Sequence, residues 1–233
     1  MGLVRYGGGI AQISGSIAGN TFARNRFGNY VRNRTMPVNP NTALQSAVRS
    51  AMAAVTEMWY TQLSDAQRTA WATYAAAVKV KNRLGEDVYL TGFNHFIRSA
   101  MAIKTVGGTV VEDAPTTLEL PETDDNIVAT YDESATSLSL AYTTGLAYLS
   151  EVGGYMAIFM GQPQIGTRNF FKGPWRYIGC VTGAASPPAS PKLITTPPFT
   201  ITEGQKIWTK ARIIRADGRV SNEFYAAPVD AVA

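Results

Sequence analysis

His95 is the one imidazole of the chain and Cys180 its one thiol. Nucleophilic hydrolysis needs a base held beside a nucleophile. Here His95 falls in a helical stretch and Cys180 far away in the alternating run Trp175–Val181, where a buried structural thiol is expected. A metal site needs several ligands at close spacing, and His95 has neither a second His nor an acid at such spacing. A surface-facing histidine is the expectation. Glycoside chemistry asks for a facing pair of carboxylates, but the acids gather in a Gly/Thr/Pro-rich segment and in loops, where charge is usually solvated. Gly7-Gly8-Gly9 is not followed by Gly-Lys-Ser/Thr, so it is no phosphate loop. These residue types and spacings lead to the expectation of no enzyme, no cofactor and no metal.

Recognition chemistry is better represented. The stretch SGSIAGNTFARNRFGNYVRNRTMPVNPNT, from Ser14 to Thr42, holds four arginines and no acid. Arg24, Arg26, Phe27, Tyr30, Arg32 and Arg34 are the candidate contacts to a protein partner in an assembly. The competing reading is intrachain: the arginines pair with the acids of 112–133, and Tyr30 packs on the helices that follow. Gly28-Asn29 between two alternating runs predicts a two-residue hairpin turn. That register sets Phe27 beside Tyr30 and Arg24 beside Asn33. It also puts Arg24 and Arg26 on the face opposite Arg32 and Arg34. Arg and aromatic side chains suit nucleic acid too, but no single basic face forms, so nucleic acid ranks behind protein as a partner. Met36-Pro37 and Asn39-Pro40 force an extended exit. A ribbon with two open edges and little to bury is marginal alone, so the arm is expected to need a partner.

The elements that position this arm follow it in the chain. Thr42-Ala43-Leu44-Gln45 is a capping box, and Leu44, Val48, Met52, Val55 and Trp59 recur behind it at helical spacing. Ser64-Asp65-Ala66-Gln67 is a second capping box, opening a helix with Ala70, Trp71, Tyr74 and Val78 on one face. Two capped helices with almost no connection form an αα-hairpin, with Trp59 and Trp71 as core anchors. Lys79–Glu86 reads as a charged turn and Asp87–Leu90 as a short strand. Thr91 or Asn94 caps a third helix carrying Phe93, Phe96, Ile97, Ala100 and Met101. After a Gly/Thr/Pro-rich acidic segment the period becomes alternating. Ile127–Thr130, Ser137–Tyr142, Tyr155–Met160, Trp175–Val181 and Lys206–Ile214 read as strands, and Ala216-Asp217-Gly218-Arg219 as a hairpin leading into Val220–Tyr225. The expected fold class is α+β: an extended arm over 1–41, a helical domain over 42–106, an acidic linker over 107–125 and an antiparallel β-sandwich over 126–233.

The net charge of +4 conceals a strong segregation. Residues 1–50 carry six Arg and no acid, whereas residues 112–160 carry nine acids and no base. A basic arm and an acidic segment in one chain are complementary between copies, which makes self-association in an assembly an expectation. Met1–Ile10 contains Arg5 and a Gly triplet and has no apolar h-region, so no secretory leader is expected. No run approaches a membrane span in length.

The Gly-rich start, the Ser14–Thr42 stretch, the following Gln45, Ala47, Val48 and Arg49, then LSDAQRTAW and LTGFNHFIRS together resemble a recurrent class of tailed-bacteriophage virion proteins. The resemblance runs from about Gly7 to Ser99, and Asn39 to Thr42 with Gln45 and Arg49 is its most specific part. KIWTKARIIRADGRVSN is similar to the last hairpin of fibronectin type III domains. What the resemblance implies is a structural protein of the virion, made in the host cytoplasm, with an immunoglobulin- or fibronectin-like C-terminal domain. A capsid decoration or cement protein bound to the major capsid protein comes first. A neck, tail or baseplate component is the alternative, and a nucleic-acid-binding protein the second alternative.

Overall fold

The computed structural model describes residues 2–36, 38–82, 84, 86–132 and 136–231. Met1, Pro37, Arg83, Gly85 and Glu133, which enter the expectations above, lie outside the described residues.

The arm folds into a four-stranded antiparallel sheet. β1 (Gly2–Leu3), β2 (Gly15–Ile17), β3 (Asn20–Asn25) and β4 (Gly28–Asn33) lie in the order β1-β4-β3-β2. The hairpin turn sits two residues earlier than its sequence suggests. Asn25 faces Gly28 and Arg24 faces Asn29, so Arg26 and Phe27 form the loop. Asn25 Oδ1 accepts the Phe27 N–H at 2.9 Å, an Asx turn that fixes the bend locally. Gly28 then uses its positive φ of 115° at the exit of the loop, a region closed to most residues. Tyr30 therefore pairs with Ala23, not Phe27, and Asn33 with Asn20, not Arg24.

Three helices follow: α1 (Ala43–Thr61), α2 (Asp65–Ala77) and α3 (Gly92–Thr105). Both capping boxes form, with Thr42 and Ser64 as N-caps reciprocated by Gln45 and Gln67. Thr91 caps α3. β5 (Lys79–Lys81) and β6 (Asp87–Tyr89) pair between α2 and α3, so part of the expected charged turn is strand. The helical core gathers Val55, Leu63, Trp71, Tyr74, Val78, Phe96, Ile97 and Ala100. Trp59 leans on Phe93 and Phe96 at ring distances of 5.6 and 5.5 Å. Gly92 lets α3 start against α2. A Cβ there would stand 2.7 Å from the Ala72 nitrogen.

One expectation fails in this part. His95 does not face out; it is 2% exposed and meets Tyr74 edge-on at 5.1 Å. Burial and, next, the positive Arg98 pull its pKa down to about 4, against a hydrogen bond with the Val78 backbone. The apolar stripe of α1 is covered over its C-terminal half alone. Val55 is buried, while Leu44, Val48 and Met52 are 68%, 60% and 44% exposed.

The C-terminal half is antiparallel β structure. β7 (Val128–Asp132), β8 (Ser137–Ala141), β9 (Tyr155–Gly161), β10 (Gln164–Ile165), β11 (Trp175–Thr182), β12 (Lys192–Ile194), β13 (Gln205–Ile207), β14 (Thr209–Ile214), β15 (Phe224–Tyr225) and β16 (Val229–Asp230) form three sheets. Their orders are β11-β9-β14-β15, β12-β8-β7 and β10-β13-β16. All three contribute to one core, with Leu138 and Leu140 from β8, Met156, Ile158 and Met160 from β9, and Ile207 and Ile213. The run Lys206–Ile214 divides at Trp208 into strands of two sheets, and Trp208 stacks on Phe171 at 5.4 Å. Phe171 lies over Gly161, where a Cβ would come within 2.3 Å of its ring. Cys180 is half-buried, not buried. It faces away from the main core in register with Ala157, its sulfur 3.8 Å from Thr182 Oγ1.

Helices and sheets are joined by a clamp. Arg98 on α3 donates to the Val220 and Ser221 carbonyls, each at 2.7 Å, and Ser99 Oγ donates to the Gly218 carbonyl at 2.6 Å. Ile103, Ala157, Ile214 and Val220 form a small apolar cluster at the same junction. The acidic segment packs along it. Val110, Ala114 and Leu120 lie on the helical core. Asp124 is buried and accepts from Thr143 N and Oγ1 at 2.8 and 2.9 Å.

Candidate docking surface

Every described residue before Val55 is exposed or half-buried. The arm sheet therefore has no core of its own, and its order rests on ladder hydrogen bonds and on its seat beside the β5–β6 hairpin. Phe27 lines an apolar groove of about 300 Å³ there, with Leu3, Val80, Val88 and Leu90. Arg5 pairs with Glu86 across the same seam.

The six candidate residues are not gathered into one cluster. Arg24 is exposed on one face of the sheet and Arg32 on the other, because Arg24 faces Asn29 while Arg32 faces Thr21. Strand period 2 sends these positions to opposite sides. Arg26 is exposed in the loop beside Phe27. Arg34, at the far end, is tied by its backbone N–H to the Gly19 carbonyl at 2.8 Å. Tyr30 is half-buried in the middle of β4, between Leu3 and Ala23. Among the described residues none of these four guanidinium groups has an ion-pair or hydrogen-bond partner, and none reaches the acidic segment. Four unpaired cations on a sheet are costly to bring together and favour a negative partner.

The connection to α1 is built as a rigid cap. Asn41 takes a left-handed φ of 48°, a conformation that Asn tolerates better than most residues. Its N–H donates to Asn39 Oδ1 at 3.2 Å. Arg49, two turns along the helix, donates to Asn39 Oδ1 at 2.8 Å and to Asn41 Oδ1 at 3.5 Å. Asn39, Asn41, Thr42, Gln45 and Arg49 thus fix the direction in which the chain enters α1. The stripe Leu44, Val48 and Met52 is exposed, as are Met36 and Val38 in the chain that leads into it. Sequence periodicity located the stripe but carried no signal that it would stay uncovered. Replacing Thr42 by Ala should cost this helix end about 1 kcal/mol. The loss should appear as faster amide exchange over the first turn of α1 with little change in global unfolding, since that turn supports no core. A matching loss of global stability would show that the cap holds more than the helix end.

Chemically this surface can hold an acidic, partly apolar partner. Among the described residues, no group of three or more His, Cys, Asp or Glu side chains is placed to hold a metal ion. No helix among them is long and apolar enough to cross a membrane. The chain matches no family model, and no curated protein is similar enough to count as a relative.

Proposed function

We propose that the chain is a structural component of a tailed-phage virion, a capsid decoration or cement protein that grips capsid subunits through its N-terminal arm. The reading rests on one observation above the rest. Arg24, Arg26, Arg32 and Arg34 stand without partners on a sheet that has no core, and the α1 stripe Leu44, Val48 and Met52 is left exposed among the described residues. Exposed apolar surface rimmed by charge is the mark of an interaction site, and arms with free strand edges attach by adding to neighbouring sheets. β2 supplies such an edge, with Ile17 exposed on it. The C-terminal β-rich half, read as an immunoglobulin- or fibronectin-like sandwich, would project outward. Catalysis has no part in this role.

The test uses the full chain and purified capsid shells. Reversing Arg24, Arg26, Arg32 and Arg34 to Glu should weaken capture at least about tenfold and flatten its loss with salt, because the attraction that salt screens is gone. Replacing Leu44, Val48 and Met52 by Ser should weaken capture similarly while leaving thermal stability unchanged, because these side chains are exposed. Full-strength capture by both variants would overturn the docking surface. The ratio of this chain to the major capsid protein in particles then separates a lattice component from a neck, tail or baseplate part. A simple lattice fraction supports cement, and about a dozen copies or fewer would move the protein to a vertex or tail. Absence from particles would overturn the virion reading.

A further inference from the structure

A cleft of about 630 Å³ opens between the β5 hairpin, α3 and the outer face of the β14–β15 pair. Its charged walls are Lys81, Arg98, Arg212 and Glu223, with Asn222 and Tyr225 beside them. The balance of charge there is uneven. Lys81 is taken by Asp87 at 2.7 Å, and Glu86, behind Asn82, is shared with Arg5. Glu223 alone serves both Lys210 at 2.8 Å and Arg212 at 3.0 Å. Among the described residues Arg98 bonds no carboxylate, only the Val220 and Ser221 carbonyls. Lys210, Arg212 and Arg98 thus share one carboxylate. Arg212 Nε is buried without an acceptor among the described residues. Both guanidinium-bearing residues line the cleft, and burial and then the like charge of Arg212 pull the Arg98 pKa down to about 10.

Two guanidinium groups facing one cleft with surplus positive charge form a fork that carboxylate or phosphate oxygens fit. We propose that this cleft binds an oxyanion between Arg98 and Arg212. Its volume exceeds a lone phosphate and lies in the range of small-molecule sites, so the oxyanion is one end of a larger ligand whose body lies against Tyr225 and Asn222. This site is on the side of the molecule formed by α3 and the sheets, shares no candidate residue with the arm, and stands or falls separately from the virion role.

Titration of the full chain with inorganic phosphate and, in parallel, glutarate tests it, read by ³¹P line broadening for phosphate and by thermal shift for both. Saturable binding of either probe, beyond the effect of chloride at equal ionic strength, is the expected result, and the better probe identifies a tetrahedral or a planar oxyanion. Arg212→Gln should weaken that binding about tenfold or more, as expected for loss of a charge-assisted hydrogen bond. Glu223→Gln should tighten it several-fold, because the carboxylate that competes for Arg212 is gone. That second variant keeps the test decisive if Arg212→Gln disturbs the sheet. No saturable binding of either probe, or tightening absent in Glu223→Gln, would overturn the proposal.

Discussion

Trp71→Ala is expected to lower unfolding free energy by about 3–5 kcal/mol, the cost typical of removing a large buried aromatic. Trp71 is 1% exposed and sits at the centre of the helical core. Its ring meets Tyr74 and Phe96 edge-on at 5.9 and 5.6 Å. Its indole N–H donates to the Glu112 carbonyl at 2.8 Å, which ties the acidic segment to α2. Alanine removes both. Trp71→Phe separates them, since it keeps part of the packing and leaves the Glu112 carbonyl without its donor, at about 1–2 kcal/mol. Urea denaturation measures both variants. The unfolding transition should stay single, because Arg98 and Ser99 fasten the helices to the β hairpin. A loss below about 1 kcal/mol for the alanine variant would mean that the aromatic cluster adds little to stability.

Acidification should remove up to about 3 kcal/mol of stability between pH 6.5 and pH 4 through His95 alone. The folded chain holds this imidazole near pKa 4, against 6.5 when exposed, chiefly because burial penalises its charged form. The unfolded chain therefore binds the extra proton first. The contribution is complete above pH 6.5, fades as pH falls through that window, and is fully lost below 4. Glu151 and Glu223 have depressed pKa values, Glu151 chiefly through its bond to Arg215 and Glu223 through Lys210 and Arg212, which outweigh its burial. Their stabilisation is present above the ordinary carboxylate range and is lost below it, so the interval from pH 6.5 to 5 isolates His95. His95→Phe keeps an aromatic edge against Tyr74 and cannot titrate. Its stability should be flat across that interval. A wild-type slope that survives the substitution would assign the effect to another group.

Legibility of the fold divided along physical lines. The helices were readable because their ends are written locally: Thr42 with Gln45 and Ser64 with Gln67 satisfy backbone donors within one turn. Alternation located β8, β9 and β11 to within about one residue. The two-residue strands β10 and β16 are too short to carry a period. In the arm, Gly28-Asn29 drew attention, yet the Asn25 side chain set the bend two residues earlier, and β1 reached β4 from outside the hairpin. The six candidate residues of the arm stand out in the sequence by type alone. Their failure to form one face was legible too, since an even shift in partner number, here from Asn33 to Asn29 for Arg24, preserves it. What periodicity could not reveal was whether a stripe finds cover: Val55 does and Val48 does not. His95 was misjudged for the same reason. The cleft of Arg98, Arg212 and Glu223 had no sequence signal, as its members come from opposite ends of the folded part.

The clamp between α3 and the C-terminal hairpin sets an order of events during synthesis. Ser99 and Gly218 are 119 residues apart. Chains emerge from the ribosome N-terminus first, at roughly 5–20 residues per second. The arm and the three helices are thus made several seconds before residue 218 appears, and until then Ser99 lacks its acceptor. Contacts this distant in sequence close slowly in any case. The nascent helical part waits with its Arg98–Ser99 flank open until the hairpin around Gly218 is made.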